Sequence, residues 1–235
     1  MWPLILFRPK KLISSSAPYS YFAILNTLID IGKERGKIHS WSDIQRLIYL
    51  ICGLYSGYYK KQLINEHFFV YLPGIILTNR YYNYFMNNKT PKYDLYTKYI
   101  KIDGYVELID KECEDYKTIY DTYKFLSQYT ETQIYSLVSN DYIELKDGTI
   151  INCPVKSKLI EEGYDKLYDE KYTKLHPDYR QKVNEEIMLL KPSLNNEYIS
   201  KYFSYWFKNT EEYKNIKPED EENNNIKIEE PEILD

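Results

Sequence analysis

The sequence has very little alanine, glycine and cysteine. Of its 235 residues only two are alanine, eight are glycine and three are cysteine, whereas 28 are tyrosine, 27 isoleucine, 26 lysine and 16 asparagine. AT-rich codons encode these four abundant residues and GC-rich codons encode alanine. The bias therefore indicates an AT-rich genome, such as that of a phage, a large DNA virus or a low-GC bacterium.

The short motifs of the common enzyme classes are also absent. The sequence has no GxSxG, GxxxxGK[ST] or GxGxxG, so it lacks a nucleophile elbow and the phosphate-binding loops. Its three cysteines and three histidines are far apart and include no CxxC, which excludes the usual zinc and disulfide patterns. We therefore expect a non-enzymatic protein with no catalytic residue, no cofactor and no metal.

No apolar run approaches the ~18–20 residues that span a bilayer. The N-terminus places apolar residues before its first basic residues, which reverses the order of a signal peptide. We therefore expect a soluble protein without membrane contact, located in a virion or the host cytoplasm and not secreted through a signal peptide.

The charge is unevenly distributed. Residues 210–235 contain ten acids and three lysines, a net charge of −7, whereas residues 1–209 contain 28 basic and 25 acidic residues, a net charge of +3. An acidic tail on a mildly basic body can pair with that body or with a basic partner. A dedicated nucleic-acid-binding protein has a much more basic footprint, so nucleic acid is not an expected partner.

Composition divides the chain into three parts. Residues 1–16 form an apolar N-terminal arm with two prolines and a serine joint, and residues 210–235 form an acidic C-terminal arm. Between them, residues 17–209 predict a mostly helical globular body with a candidate sub-boundary near 141–154. The predicted fold is mainly α (α+β), with a small β-hairpin near 142–152 around Asp147-Gly148.

Apolar spacing and caps predict the elements of the body. Ser40 and Thr130 are predicted N-caps, and Pro73-Gly74 is predicted to form a corner after an extended segment at 68–72. The predicted helices cover residues 18–36, 40 to about 62, 77–87, 106–126 and 130–139, followed by three segments from residue 155 onward.

Residues 44–50, Ile-Gln-Arg-Leu-Ile-Tyr-Leu, and residues 69–75, Phe-Val-Tyr-Leu-Pro-Gly-Ile, resemble two motifs of the Panacea (SocA-like) domain family of phage and antitoxin-associated proteins. The resemblance covers about residues 20–140. The family's tryptophan is replaced by Val70, and its Gly-Pro is inverted to Pro73-Gly74. The resemblance implies a helical, non-catalytic domain that binds another protein.

Two functions fit these observations. The first is a non-enzymatic structural or assembly protein of a phage or large virus, which binds neighbouring subunits through its terminal arms as a homo- or hetero-oligomer. The second is a Panacea-like antitoxin or proteolytic adaptor that binds one intracellular partner. The predicted partner-binding residues are Trp2, Leu4, Ile5, Leu6, Phe7, Tyr71, Pro73, Gly74, Trp206, Ile226, Ile228, Ile233 and Leu234.

Overall fold

A computed structural model describes residues 10–13, 17–88 and 98–209 of the chain. The structure is 58% helical, which confirms the predicted mainly α (α+β) fold. The helices are α1 Tyr21–Glu34, α2 Trp41–Tyr59, α3 Asn79–Asn88, α4 Glu114–Leu126, α5 Glu131–Ser139, α6 Pro154–Glu161, α7 Glu170–Leu175, α8 Pro177–Leu190 and α9 Asn196–Asn209, with a 3-10 helix at Asp165–Tyr168. The strands are β1 Lys10–Ile13, β2 Phe68–Leu72, β3 Ile75–Thr78, β4 Val106–Ile109, β5 Tyr142–Glu144 and β6 Ile150–Asn152. None of the described helices combines the length and the apolarity needed to cross a membrane.

Helix α2 is the centre of the hydrophobic core. The hydroxyl of Ser40 accepts a hydrogen bond from the backbone N–H of Asp43 at 3.2 Å, which confirms the predicted N-cap. Most residues of α2 are buried, because α1, α4, α5, α9 and the β2–β3 hairpin all pack around it. A helix that is apolar on most sides is stable only in such an interior position.

Helix α9 packs directly on α2 at two glycines. A Cβ atom built on Gly53 would lie 2.3 Å from Phe203 Cε2, and one built on Gly57 would lie 2.8 Å from the carbonyl carbon of Phe203. Only glycine permits such a close approach of the two helices. As a result, residues on both sides of 141–154 contribute to one core.

Strand β1 pairs in parallel with β4, with Lys10 opposite Val106 and Ile13 opposite Ile109. The predicted single helix over 106–126 is therefore wrong in its first part, because these residues form β4 and only Glu114–Leu126 is helical. The strand partner lies 96 residues earlier in the chain, and a local periodicity does not reveal so distant a contact. The pairing also places the end of the predicted N-terminal arm on the body.

The segment after Leu72 forms a hairpin. Strands β2 and β3 are antiparallel, and a register shift lies between Val70 and Leu72. Gly74 occupies the turn with a φ of +77°, a conformation that favours glycine. The predicted Pro73-Gly74 corner is present, but Ile75–Thr78 is a strand and the predicted helix at 77–87 begins at Asn79.

The predicted hairpin near 142–152 is confirmed. Tyr142 lies opposite Asn152 and Glu144 opposite Ile150. The predicted cap at Thr130 is also confirmed as a capping box, because the backbone N–H of Thr130 donates to Gln133 Oε1 at 2.8 Å.

Candidate functional site

A groove of about 640 Å³ lies between the C-terminal half of α2 and one side of α9, and the segment 60–68 closes one end. Gly53 is one of its lining residues, and the contact at Gly53 and Gly57 brings the two helix backbones close together. We call this site the basic groove.

The floor of the basic groove is apolar and its walls carry hydroxyl groups. The floor is formed by five side chains, each less than a tenth exposed: Cys52, Leu63, Ile64, Phe68 and Ile199. Ser200 Oγ donates to the carbonyl oxygen of Ser56 at 2.8 Å, and Ser204 Oγ donates to that of Gly57 at 2.9 Å. These bonds fix the walls and satisfy carbonyl groups near the end of α2.

Four lysines surround the basic groove: Lys60, Lys61, Lys201 and Lys208. Among the residues that the structure describes, none of the four forms an ion pair. Lys60 Nζ donates to the carbonyl oxygen of Gly57 at 2.9 Å and to Ser204 Oγ. Burial lowers the pKa of Lys60, and the positive charge of Lys208 lowers it further. The groove therefore holds positive charge that the described residues leave uncompensated.

Two acidic residues also line the basic groove. The carboxylate of Glu66 accepts hydrogen bonds from the backbone N–H of Tyr21 at 3.2 and 3.3 Å and pairs with Arg80 at 3.2 Å. Glu197 is exposed in the first turn of α9, where the helix dipole favours a negative charge. Because Glu66 has its own cationic partner, it does not neutralise the lysines.

A second, smaller cavity of about 230 Å³ lies beside His39, Asp43 and Glu131. A hydrogen bond with Asp43 and its negative charge raise the pKa of Glu131. Asp43 also pairs with Arg46 at 3.0 Å, and Arg46 Nε donates to the carbonyl oxygen of Gly74 at 2.8 Å. These contacts join α2, α5 and the β2–β3 turn, so the cluster stabilises the fold.

Within residues 10–13, 17–88 and 98–209, no group of three histidine, cysteine or acidic side chains could hold a metal ion. The histidines have separate partners. His39 Nε2 lies 2.5 Å from Tyr123 Oη, His67 Nδ1 lies 3.0 Å from Asn196 Nδ2, and the ring of His176 packs on that of Tyr172 with centroids 4.5 Å apart.

The structure buries three of the four predicted partner-binding residues of the body. Tyr71 is 9% exposed and packs on Tyr82, and the Cα of Gly74 faces the ring of Tyr135. Pro73 is half-buried. Trp206 is 6% exposed and lies edge-on to Phe125. Their role in partner binding stays a prediction, and they do not form one surface with the basic groove.

The other predicted partner-binding residues lie outside the described residues: Trp2, Leu4, Ile5, Leu6, Phe7, Ile226, Ile228, Ile233 and Leu234.

Sequence reasoning missed the basic groove. One signal was present, because Lys201, Ser204 and Lys208 recur at the three- to four-residue spacing of one helix face. The other half of the groove comes from α2, about 140 residues earlier in the chain. No sequence motif links the two halves.

No family model matches the chain, and comparisons with curated proteins and with solved structures gave no significant match. The resemblance to the Panacea family therefore stays a prediction.

Proposed function

We propose that the protein is a non-enzymatic assembly protein of a phage or large virus, and that its basic groove holds an acidic segment of a neighbouring protein subunit. The observation that carries this proposal is the set of four lysines around the groove, none of which pairs with an acid in the described part of the chain. Opposite charges of a partner segment would compensate them and direct its approach.

The lining favours a polypeptide over a nucleic acid. The groove has a floor of aliphatic and aromatic side chains that would accommodate apolar residues between the acids of a peptide. A single-stranded nucleic acid requires several aromatic platforms for its bases, whereas Tyr205 is the one partly exposed aromatic side chain among the groove residues that the structure describes.

Binding of an acidic peptide tests the proposal. The probe is a fluorescein-labelled peptide with the sequence of residues 219–235, which combines eight acids with four aliphatic residues. The variant Lys61→Gln/Lys201→Gln/Lys208→Gln removes three charges from the full-length chain. Both this variant and the chain it is compared with carry amides in place of the acids at residues 211, 212 and 219–222, so that only the labelled peptide supplies acids to the groove. Since an exposed charge contact contributes about 0.5 kcal/mol, the three losses should weaken binding about tenfold. Fluorescence anisotropy measures the affinity.

The matched control is Lys117→Gln/Lys146→Gln/Lys171→Gln, which removes three exposed lysines outside the groove. It should bind the peptide like the wild type. Equal affinity of the groove variant and the wild type would overturn the proposed site. If a single-stranded oligonucleotide of the same charge binds more tightly than the peptide, the partner is a nucleic acid and not a protein.

The assembly role makes a second, independent prediction. A virion component should be present in purified particles at a fixed stoichiometry, as measured by quantitative mass spectrometry. Its absence from the particles, together with rescue of cells from one toxic partner, would favour the Panacea-like antitoxin or adaptor instead.

A further inference from the structure

We propose that the acidic C-terminal segment of the same chain, residues 210–235, binds in the basic groove in cis and competes there with the segment of the partner subunit. This inference rests on the proposed function, because it takes the basic groove to be a site for acidic polypeptide. It identifies the first occupant of the groove as a segment of the same chain. A segment of the partner subunit must then compete with it for the groove.

Charge complementarity selects this segment within the chain. Its ten acids and three lysines give a net charge of −7, whereas the rest of the chain has a net charge of +3. Six of the acids are in its first 13 residues: Glu211, Glu212, Glu219, Asp220, Glu221 and Glu222. The four groove lysines have no acidic partner in the described ranges, so the segment and the groove each carry the charge that the other lacks.

The point at which the described chain ends also favours the groove. Helix α9 ends at Asn209, directly after the groove residue Lys208, and Glu211 follows two positions later. Lys201 lies about 10 Å back along the helix at 1.5 Å per residue. Lys60, which follows α2, donates a hydrogen bond to Ser204, and Ser204 lies one helical turn before Lys208. Lys60 is therefore also close to the end of α9, where the segment begins.

The length of the segment is sufficient. The nine residues between Asn209 and the acidic run at 219–222 can extend over about 30 Å, which exceeds the separation of the lysines along α9. The acids can therefore reverse direction and follow the groove without any change in the helices.

Attachment to α9 favours binding in cis over binding to a second copy. A short flexible connection gives an effective concentration in the millimolar range, far above the micromolar concentration of a second chain in a binding experiment. If the isolated segment has a dissociation constant of about 100 μM, attachment should weaken the binding of a competing peptide about tenfold. The partner subunit must then displace the segment to enter.

Zero-length crosslinking tests the contact directly. Carbodiimide treatment of the full-length protein should join carboxylates of residues 211–222 to Lys61, Lys201 or Lys208 through amide bonds, which mass spectrometry identifies. A mixture of ¹⁴N- and ¹⁵N-labelled chains separates the two geometries. Binding in cis gives crosslinked peptides of uniform isotope only, whereas mixed-isotope pairs would overturn the inference in favour of a second copy.

Competition gives the second test. The full-length variant Glu211→Gln/Glu212→Gln/Glu219→Gln/Asp220→Asn/Glu221→Gln/Glu222→Gln should bind the fluorescein-labelled peptide of residues 219–235 about tenfold more tightly than the wild type. If both chains bind the peptide equally, the inference is overturned and the proposed function stands. If neither chain binds the peptide, the proposed function itself fails.

Discussion

Phe203 on α9 packs against the bare backbone of Gly53 on α2, so closely that a Cβ atom on Gly53 would lie 2.3 Å from Phe203 Cε2. This contact holds the two helices that form the walls of the basic groove. The groove and the core therefore depend on the same pair of helices, and variants that separate the helices should lose stability.

Gly57→Ala tests this dependence. Its new Cβ atom would lie 2.8 Å from the carbonyl carbon of Phe203 and 2.9 Å from the backbone nitrogen of Ser204. Because both are backbone atoms, α9 would have to move. Overpacking costs about 3 kcal/mol, and the better helix propensity of alanine offsets about 1 kcal/mol. We expect a net loss of about 2 kcal/mol and a fall in Tm of about 4–8 °C, measured by urea and thermal unfolding.

A double-mutant cycle provides the control. Gly53→Ala should also destabilise the protein, but its Cβ atom meets the side chain of Phe203 rather than the backbone. A smaller side chain at Phe203 makes room, so Gly53→Ala/Phe203→Leu should be less destabilised than the sum of the single variants. Strict additivity would contradict the close contact.

Arg46 supports the second prediction. Its guanidinium pairs with Asp43, hydrogen-bonds the carbonyl oxygen of Gly74, and lies 5.3 Å from the ring centroid of Tyr135. Arg46 and Asp43 have side chains that are only 12% and 10% exposed. Arg46→Ala would leave the Asp43 carboxylate beside Glu131 without a cation. We expect a loss of about 3 kcal/mol at pH 7.

The loss should depend on pH with a defined sign. Asp43 raises the pKa of Glu131 and Arg46 opposes that shift, so removal of Arg46 raises this pKa further. When the pKa of a carboxyl group is higher in the folded state, the folded chain holds the proton to a higher pH than the unfolded chain does. Stability therefore falls as the pH rises above the ordinary pKa of this group, about 4.5. The defect of Arg46→Ala should therefore grow between pH 4.5 and 7. Arg80→Ala, which breaks a more exposed pair with Glu66, should cost less than about 1 kcal/mol.

His39 gives the third prediction. Burial lowers the pKa of His39 below its ordinary value of 6.5, and the charge of Lys37 contributes, whereas Asp43 opposes the shift. The unfolded chain therefore binds a proton at His39 at a higher pH than the folded chain does. Stability from this residue is complete above pH 6.5 and falls as the pH decreases through the lowered pKa.

The measurement is the free energy of unfolding between pH 5 and 7.5. His39→Gln should reduce its slope below pH 6.5, because glutamine does not take up the proton. His176→Gln changes an exposed histidine and should keep the slope of the wild type. A wild-type slope in His39→Gln would show that another group controls the acid sensitivity.

The sequence predicted those local features whose hydrogen bonds join residues close together in the chain. Ser40 and Thr130 cap helices through bonds to residues three positions away, and Asp147-Gly148 closes a short hairpin. Such contacts are complete within a few residues. Composition and spacing were therefore sufficient to predict them.

Non-local contacts were not predictable in the same way. Val106–Ile109 resembles the start of a helix by its spacing but pairs with Lys10–Ile13, and Ile75–Thr78 becomes a strand because Phe68–Leu72 lies beside it. The basic groove depends on the packing of α9 on α2, which joins distant segments. Tertiary contacts overrode the local periodicity at each of these places.

The variant Lys60→Gly distinguishes the contribution of this residue to folding stability from its contribution to peptide binding. Lys60 caps α2 in the left-handed region, with φ 55° and ψ 27°, where glycine has no steric cost. Lys60→Gly should gain about 1 kcal/mol from the backbone and lose about 1 kcal/mol with the hydrogen bonds to Gly57 and Ser204. Its unfolding midpoint should therefore stay close to that of the wild type.

Binding should weaken, because one charge of the basic groove is lost. In the chain whose acids at residues 211, 212 and 219–222 are replaced by amides, we expect the fluorescein-labelled peptide of residues 219–235 to bind Lys60→Gly about twofold more weakly, since one exposed charge contact contributes about 0.5 kcal/mol. Lys191→Gly is the matched control, because Lys191 also caps a helix at positive φ but lies outside the groove. Lys191→Gly should leave the affinity unchanged. If both variants bind the peptide equally, Lys60 contributes only to the fold and its charge has no part in recognition.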